Sequence, residues 1–309
     1  MNYEITNSQS IKDCLLKMQA GDTLILDDGV YQGKFEIWNS GIKIKAKNPR
    51  KAILSNKDYY HKIMPNHNEC NTFNTFTLYI GGDDVILEDL TIKNEATPSN
   101  VYGQAVALHV DGNNFRCQNC SILSAQDTLF TGPMPKDLIE RYQGFYPEER
   151  LKGLPSVQCY ENCIIAGDVD FIFGSATALF KNCDILSIER DGNTPTYVCA
   201  PSHPKELPYG YLFYQCNFKG TKGLAYLGRP WRDYGCAAFI LCNLGKHIHP
   251  LGFNKWNNTN RDKTARFYEY TLNTDLSLRE KWAVQLSEEE AFKYVDDFLA
   301  FMKENSSKK

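Results

Sequence analysis

Five short phrases in this chain share one pattern, in which two leading residues, the second polar, run into Cys or Leu and then into a strand-forming tail. They are Glu88-Asp89-Leu90-Thr91-Ile92, Gln118-Asn119-Cys120-Ser121-Ile122, Glu161-Asn162-Cys163-Ile164-Ile165, Lys181-Asn182-Cys183-Asp184-Ile185 and Tyr214-Gln215-Cys216-Asn217-Phe218. From Leu90 to Cys120, Cys163, Cys183 and Cys216 the intervals are 30, 43, 20 and 33 residues. That is too irregular for a compact repeat of fixed length, but it suits stacked coils whose loops vary. The pattern predicts a single-stranded right-handed parallel β-helix. In such a solenoid each coil gives one strand to each of several long sheets, and a small apolar side chain stacks on its counterpart above and below.

Cysteine fits that stacked position, since a buried thiol behaves as a small hydrophobe. Cys117 and Cys120 have CxxC spacing, but no second pair lies at zinc-site distance, and core packing is the preferred reading. An odd total of eleven cysteines, in a chain too long to need staples, favours a reducing compartment over a disulfide framework. The segment Met1-Asn2-Tyr3-Glu4-Ile5-Thr6 has neither a cationic nor an apolar leader region, and no run is long enough to cross a bilayer, so the expected location is cytoplasmic, without membrane association. A net charge of -3 without a strongly basic stretch argues against a nucleic-acid partner. Residues 1–309 are expected to form one continuous unit, since solenoids of this length need no division and no linker is evident. The oligomeric state is not legible.

Asp127 and Asp170 each stand seven residues after a phrase cysteine, Cys120 and Cys163. On stacked coils this offset places them at one position of successive turns, about 4.8 Å apart along the hydrogen-bonding direction. Alternation along Val169-Asp170-Phe171-Ile172-Phe173 assigns Val169, Phe171 and Phe173 to the core face and Asp168, Asp170 and Ile172 to the outer face, where Asp170 avoids the cost of an unpaired buried charge. Between the two coils, Gly132 to Pro155 is a charged stretch without clear period. It reads as a loop overhanging the site or as a decorated surface loop. Helices are expected at both ends as covers. One runs from Ile11 to Met18, capped by Ser10. The other spans about 288–303, begins at the capping box Ser287-Glu288-Glu289-Glu290, and carries Phe292, Val295, Phe298, Leu299 and Met302 on one face.

Four segments, Gln104-Ala105-Val106-Ala107-Leu108, Gln126-Asp127-Thr128-Leu129, Gly167-Asp168-Val169-Asp170-Phe171-Ile172-Phe173-Gly174 and Leu227-Gly228-Arg229-Pro230-Trp231, together resemble the pectin methylesterase family. The likeness continues through Gly29-Val30-Tyr31 and His249-Pro250-Leu251-Gly252-Phe253-Asn254-Lys255-Trp256, covering about Asp28 to Tyr270. It implies a carboxylic-ester hydrolase that releases methanol from methyl-esterified oligo- or polygalacturonate, with imported oligomers the substrate if the protein is cytoplasmic. Asp170 is implied as the nucleophile that forms an acyl-enzyme, and Arg229 as the guanidinium that orients it and favours its charge. Asp127 is implied as the acid and base, its pKa raised by the neighbouring carboxylate. Gln104 and Gln126 are implied as oxyanion donors.

Trp231, with Phe253 and Trp256, is the candidate for stacking on a sugar face. No metal or cofactor is expected: His247 and His249 share a face, but no third ligand accompanies them. Each role has a plain structural counterpart. Asp170 and Arg229 could be an ion pair only, Asp127 an Asx turn, Gln104 part of an amide ladder, and the aromatics ordinary core. The chain departs from the resembled pattern at Phe253, where Trp is frequent, at Asp168, expected to line the groove or tune its neighbour, at Cys159, and in the length of the 132–155 excursion. Rival readings are an esterase of this fold for another ester or thioester, and a carbohydrate-binding solenoid without chemistry. A lyase would need an acidic calcium cluster, and a glycosidase a suitably spaced acid pair.

Overall fold

In the computed structural model, residues 1–65, 67–142, 153, 155–190, 194–220, 224–272 and 274–306 are described, except for the side chains of residues 8 and 9. Among them the strands form three sheets of eleven, eight and seven strands, and neighbouring strands pair in parallel. One coil runs Val157–Glu161 in the first sheet, Ile164–Gly167 in the second and Val169–Gly174 in the third, and Thr177–Lys181 then re-enters the first sheet. This is the parallel β-helix that the repeated phrases predict.

The phrases are its corners. Asp89, Asn119, Asn162, Asn182 and Gln215 have φ of 62°, 52°, 55°, 54° and 56°, the left-handed conformation that short polar side chains tolerate best. Each turns the chain from the first sheet into the second and aims the next residue inward. Cys120, Cys163, Cys183, Cys216 and Cys242 stack there on consecutive coils, as the pairing of the residues after them shows. Cys242 is a rung the sequence pattern hides, because Leu241 and not a polar residue holds the left-handed position, at φ 54°. All eleven cysteines are free thiols. Ten are buried and Cys159 is half-buried, so the Cys117/Cys120 spacing is core packing.

Inward positions of the first sheet carry a second column. The rings of Tyr160, Phe180, Phe213 and Phe239 follow one another at 4.9, 4.7 and 4.8 Å with planes within 12° of parallel. That spacing is the strand spacing itself, so each ring is held face to face by the backbone ladder beneath it.

The helix Ser8–Leu15 places Ile11, Cys14 and Leu15 in the interior, with Met18 just beyond it, and closes the first end of the solenoid. Its cap is Asn7 and not Ser10: Asn7 Oδ1 accepts from the Ser10 backbone N at 2.9 Å and from Ser10 Oγ at 2.8 Å. The helix Glu288–Ser306 runs three residues past the expected end. Its capping box forms, with Ser287 N donating to Glu290 Oε2 at 2.8 Å and Glu290 N to Ser287 Oγ at 3.3 Å. This helix does not cover the far end. Ala291, Val295 and Phe298 lie on Leu179, Leu212, Ala238 and Ile240 of the first sheet's outer face. Phe292 and Leu299, each one position past that stripe and so about 100° around the helix, are 42% and 43% exposed. Phe253, Phe267 and Trp282 pack together at the far end instead. No helix among the described residues is long and apolar enough to cross a membrane.

Phe213 has a ring against each face, so Phe213→Ala should lower unfolding free energy by about 3–5 kcal/mol. Phe292→Ala should stay within about 0.5 kcal/mol. Equilibrium denaturation midpoints of the two variants check the contrast.

Candidate active site

Leu129 pairs with Ile172, Phe130 with Phe173 and Thr131 with Gly174, and Asp127 N donates to Val169 O at 3.0 Å, so Asp127 and Asp170 occupy the same position on consecutive coils. Both take the left-handed conformation, at φ 62° and 48°, and both are nearly buried, at 8% and 7% exposure. The equal offset from Cys120 and Cys163 is thus a true structural equivalence. Gly167 makes the approach to the second of these corners possible: a Cβ there would stand 2.2 Å from Phe171 Cβ and 2.5 Å from Ala125 O.

The simple alternation expected along this strand does not hold. Against the following strand, Thr196–Pro201, Val169 pairs with Tyr197 and Ile172 with Cys199, so Asp170 and Phe171 together stand opposite Val198. This bulge resets the pleat. Asp170 faces outward as expected, but Phe171 and Ile172 both enter the interior, and Phe173 joins an outer apolar cluster with Phe73, Phe130 and Leu138.

Arg229 follows the strand Ala225–Gly228, and its N donates to Cys199 O at 2.9 Å. Its guanidinium grips Asp170 with two bonds, Nε to Oδ1 at 2.8 Å and Nη2 to Oδ2 at 2.7 Å. The same group lies 3.8 Å from the centre of the Tyr197 ring and 4.1 Å from that of Trp256. With side chains only 10% and 13% exposed, the ion pair must offset substantial desolvation, so stability alone does not account for it.

Asp127, Asp170 and Arg229 open onto a cavity of about 340 Å³ that Gln104, Gln126, Trp231 and Trp256 also line, a volume in the range of small-molecule sites. Gln104 and Gln126 are bridged in parallel on neighbouring coils. Trp231 meets Phe173 edge-on at 5.7 Å. Phe253 is absent from the lining: it is fully buried in the interior beside Phe239 and Phe267, so it cannot stack on a sugar. Paired with Gly228 in an isolated bridge, it points inward, and the departure from Trp there does not touch the cavity.

Asp168 does not line the cavity either. It is 1% exposed and accepts from Ser99 Oγ at 2.5 Å and Val169 N at 2.6 Å. The excursion forms the helix Lys136–Arg141, which brings Leu138, Arg141 and Tyr142 to the cavity wall and ties Asp137 to Arg232 at 2.7 Å. Residues 143–152 and 154 of the expected excursion lie outside the described residues. His249 stacks on Tyr226 at 4.3 Å, and among the described residues no three His, Cys, Asp or Glu side chains converge as a metal cage. Tyr197, Phe73 and Tyr142 carry no motif, and sequence reasoning missed them.

The two carboxylates differ electrostatically. Burial and then the Asp170 charge push the Asp127 carboxyl well above the usual range; Arg229 counters this and Asp168 adds to it. Burial raises Asp170 as well, but the bonds and charge of Arg229 oppose the rise directly. The geometry therefore favours a proton on Asp127 while Asp170 is charged.

A family profile described as Pectinesterase matches residues 6–135 and 148–302. "Pectinesterase 31" of Arabidopsis thaliana is 27% identical over 304 residues, covering 93% of this chain and 86% of that protein. "Probable pectinesterase/pectinesterase inhibitor 64" of the same plant is 30% identical over 246 residues, covering 73% of this chain but 36% of that longer protein. Among solved structures, "Pectin methylesterase from Carrot" superposes with a TM-score of 0.77 at 20% identity, covering 96% of this chain and 95% of its own. A pectin methylesterase in complex with hexasaccharide VII gives 0.74 at 23%, covering 95% and 96%. These two likenesses establish the fold.

A raised carboxyl pKa contributes stability that is fully present below the unfolded value, near 3.9, and is lost as pH rises through the folded value. Asp127→Asn should therefore gain stability over the parent as pH rises from about 4 to 7, by up to about 1.4 kcal/mol per pH unit for the single proton. Denaturation midpoints of both proteins across that range check it, and parallel curves would contradict the assignment.

Proposed function

We propose that this chain, which belongs to the pectinesterase family, hydrolyses the methyl esters of pectin through an acyl-enzyme on Asp170. The observation that supports this reading most is the pairing of two nearly buried carboxylates on consecutive coils, of which only one is clamped by a guanidinium. A carboxylate nucleophile must be ionised and aimed, and the Arg229 fork does both for Asp170. An acid that delivers a proton must hold one, and burial beside Asp170 does that for Asp127.

In this mechanism an Asp170 oxygen attacks the ester carbonyl of a methylated galacturonate unit, and the amides of Gln104 and Gln126 donate to the developing oxyanion. As the tetrahedral intermediate collapses, the bond to the methoxy oxygen breaks and Asp127 gives that oxygen its proton, so methanol leaves. The ionised Asp127 then takes a proton from water, which attacks the mixed anhydride. This frees Asp170 as carboxylate and the galacturonate as acid, and Asp127 is protonated again. The sum is one ester and one water giving one acid and one methanol. Trp231, at the cavity wall against Phe173, supplies an apolar face for the sugar ring.

Asp170→Asn should lower kcat by at least about 10³-fold, and Asp127→Asn should block methanol departure to a comparable degree. Gln126→Leu should cost about 10²-fold. Methanol release from defined methylated oligogalacturonides and from longer pectin, with melting temperatures confirming folded variants, tests this. Near-parental turnover by both aspartate variants would overturn the mechanism, and acetate or thiol release from matching substrates in place of methanol would overturn the substrate.

A further inference from the structure

Taking the proposed reaction as its basis, we infer that Tyr197 is a positioning residue for it, holding the plane of Arg229 and, through Arg229, the attacking oxygen of Asp170. The residue comes from the strand Thr196–Pro201, which pairs with the strand carrying Asp170. The bulge that turns Asp170 outward is opened between the pairs Val169–Tyr197 and Ile172–Cys199, so Tyr197 sits beside the nucleophile's own backbone step. Its ring centre lies 3.8 Å from the Arg229 guanidinium carbon, and Trp256 lies 4.1 Å from the same carbon.

These contacts matter because the carboxylate fixes a guanidinium only partly. Two parallel hydrogen bonds set its distance and its in-plane angle, but leave it free to tilt about the axis joining the two groups. Aromatic faces at van der Waals distance, attracted by the cation, oppose that tilt. Tyr197 is in turn part of a stack. Tyr226 stacks on it at 5.4 Å with planes 10° apart, and His249 stacks on Tyr226 at 4.3 Å with planes 18° apart. His249 Nδ1 accepts from Leu251 N at 3.1 Å, and its carbonyl accepts from Arg279, which is bound to the buried Glu269. The column thus runs from a fixed ion pair at the far end of the solenoid to the face of the catalytic arginine.

A residue acting this way leaves substrate binding alone and alters the chemical step. Tyr197→Leu should lower kcat by about 10- to 100-fold with KM changed less than about 3-fold, because a tilted nucleophile loses transition-state and not ground-state interactions. Its acid limb should also move to higher pH, since an Arg229 held less firmly opposes the effect of burial on Asp170 less. Tyr197→Phe keeps the ring and should stay within about 2-fold of the parent in kcat. Methanol release is measured against substrate concentration and pH for the parent and for Tyr197→Phe, Tyr197→Leu and Tyr197→Met, with melting curves to confirm folding; Tyr197→Met serves as the ring-free variant if Tyr197→Leu does not fold. A folded ring-free variant with unchanged kcat and acid limb overturns the inference, and so does Tyr197→Phe falling as far as the ring-free variants. A parent that releases no methanol at all overturns the reaction itself, and so the two failures are told apart.

Discussion

Parallel register is the constraint on which everything else here depends. When each coil adds one strand to each sheet, a residue's neighbours are set by its counterparts one coil away, about 4.8 Å above and below. The Cys120–Cys163–Cys183–Cys216–Cys242 column and the Tyr160–Phe180–Phe213–Phe239 stack are the interior consequences. On the outside, the same rule brings Asp127 beside Asp170 and Gln104 beside Gln126. A one-residue slip in register would offset the carboxylates and exchange inward with outward side chains, so the core that stabilises the solenoid also fixes the site.

The site itself departs from that regularity in one place. The bulge at Asp170 lets a charged residue leave the strand outward while Phe171 and Ile172 both stay in the interior. The left-handed φ of Asp127 and Asp170 is a cost that the surrounding ladder and core must offset. Arg229 then meets an aspartate whose backbone is already placed and sets the plane of its carboxylate. Its own orientation is decided by Tyr197 and Trp256.

The coils are legible because the left-handed corner restricts sequence: Asn, Asp or Gln there, followed by an inward Cys or Leu, is a local pattern that repeats whatever the loops do. It failed to announce the corner at Leu241 for the same reason, since nothing polar marks it. Asp127 and Asp170 were legible through their equal distance from such corners. The faces around Asp170 were not, because alternation assumes an unbroken pleat and a bulge is set by pairing with a strand more than twenty residues later. Tyr197 was invisible for that reason too. Phe253 resembles a sugar platform by its neighbours in sequence, yet its bridge to Gly228 turns it into the core. An exposed end of the core calls for a cover, but helical periodicity does not say which surface the last helix meets, and its Ala291–Val295–Phe298 stripe matches the outer face of the first sheet.

The proposed chemistry requires two neighbouring carboxyls to hold opposite protonation states. The most direct test is a carbon-13 NMR titration of the side-chain carboxyls of the parent protein, with Asp127 and Asp170 assigned by single substitutions. Asp127 is expected to keep its proton to a higher pH than Asp170, and Asp170→Asn to bring the Asp127 titration down. Asp127 ionising before Asp170, or both titrating independently near the ordinary aspartate value of about 3.9, would contradict it.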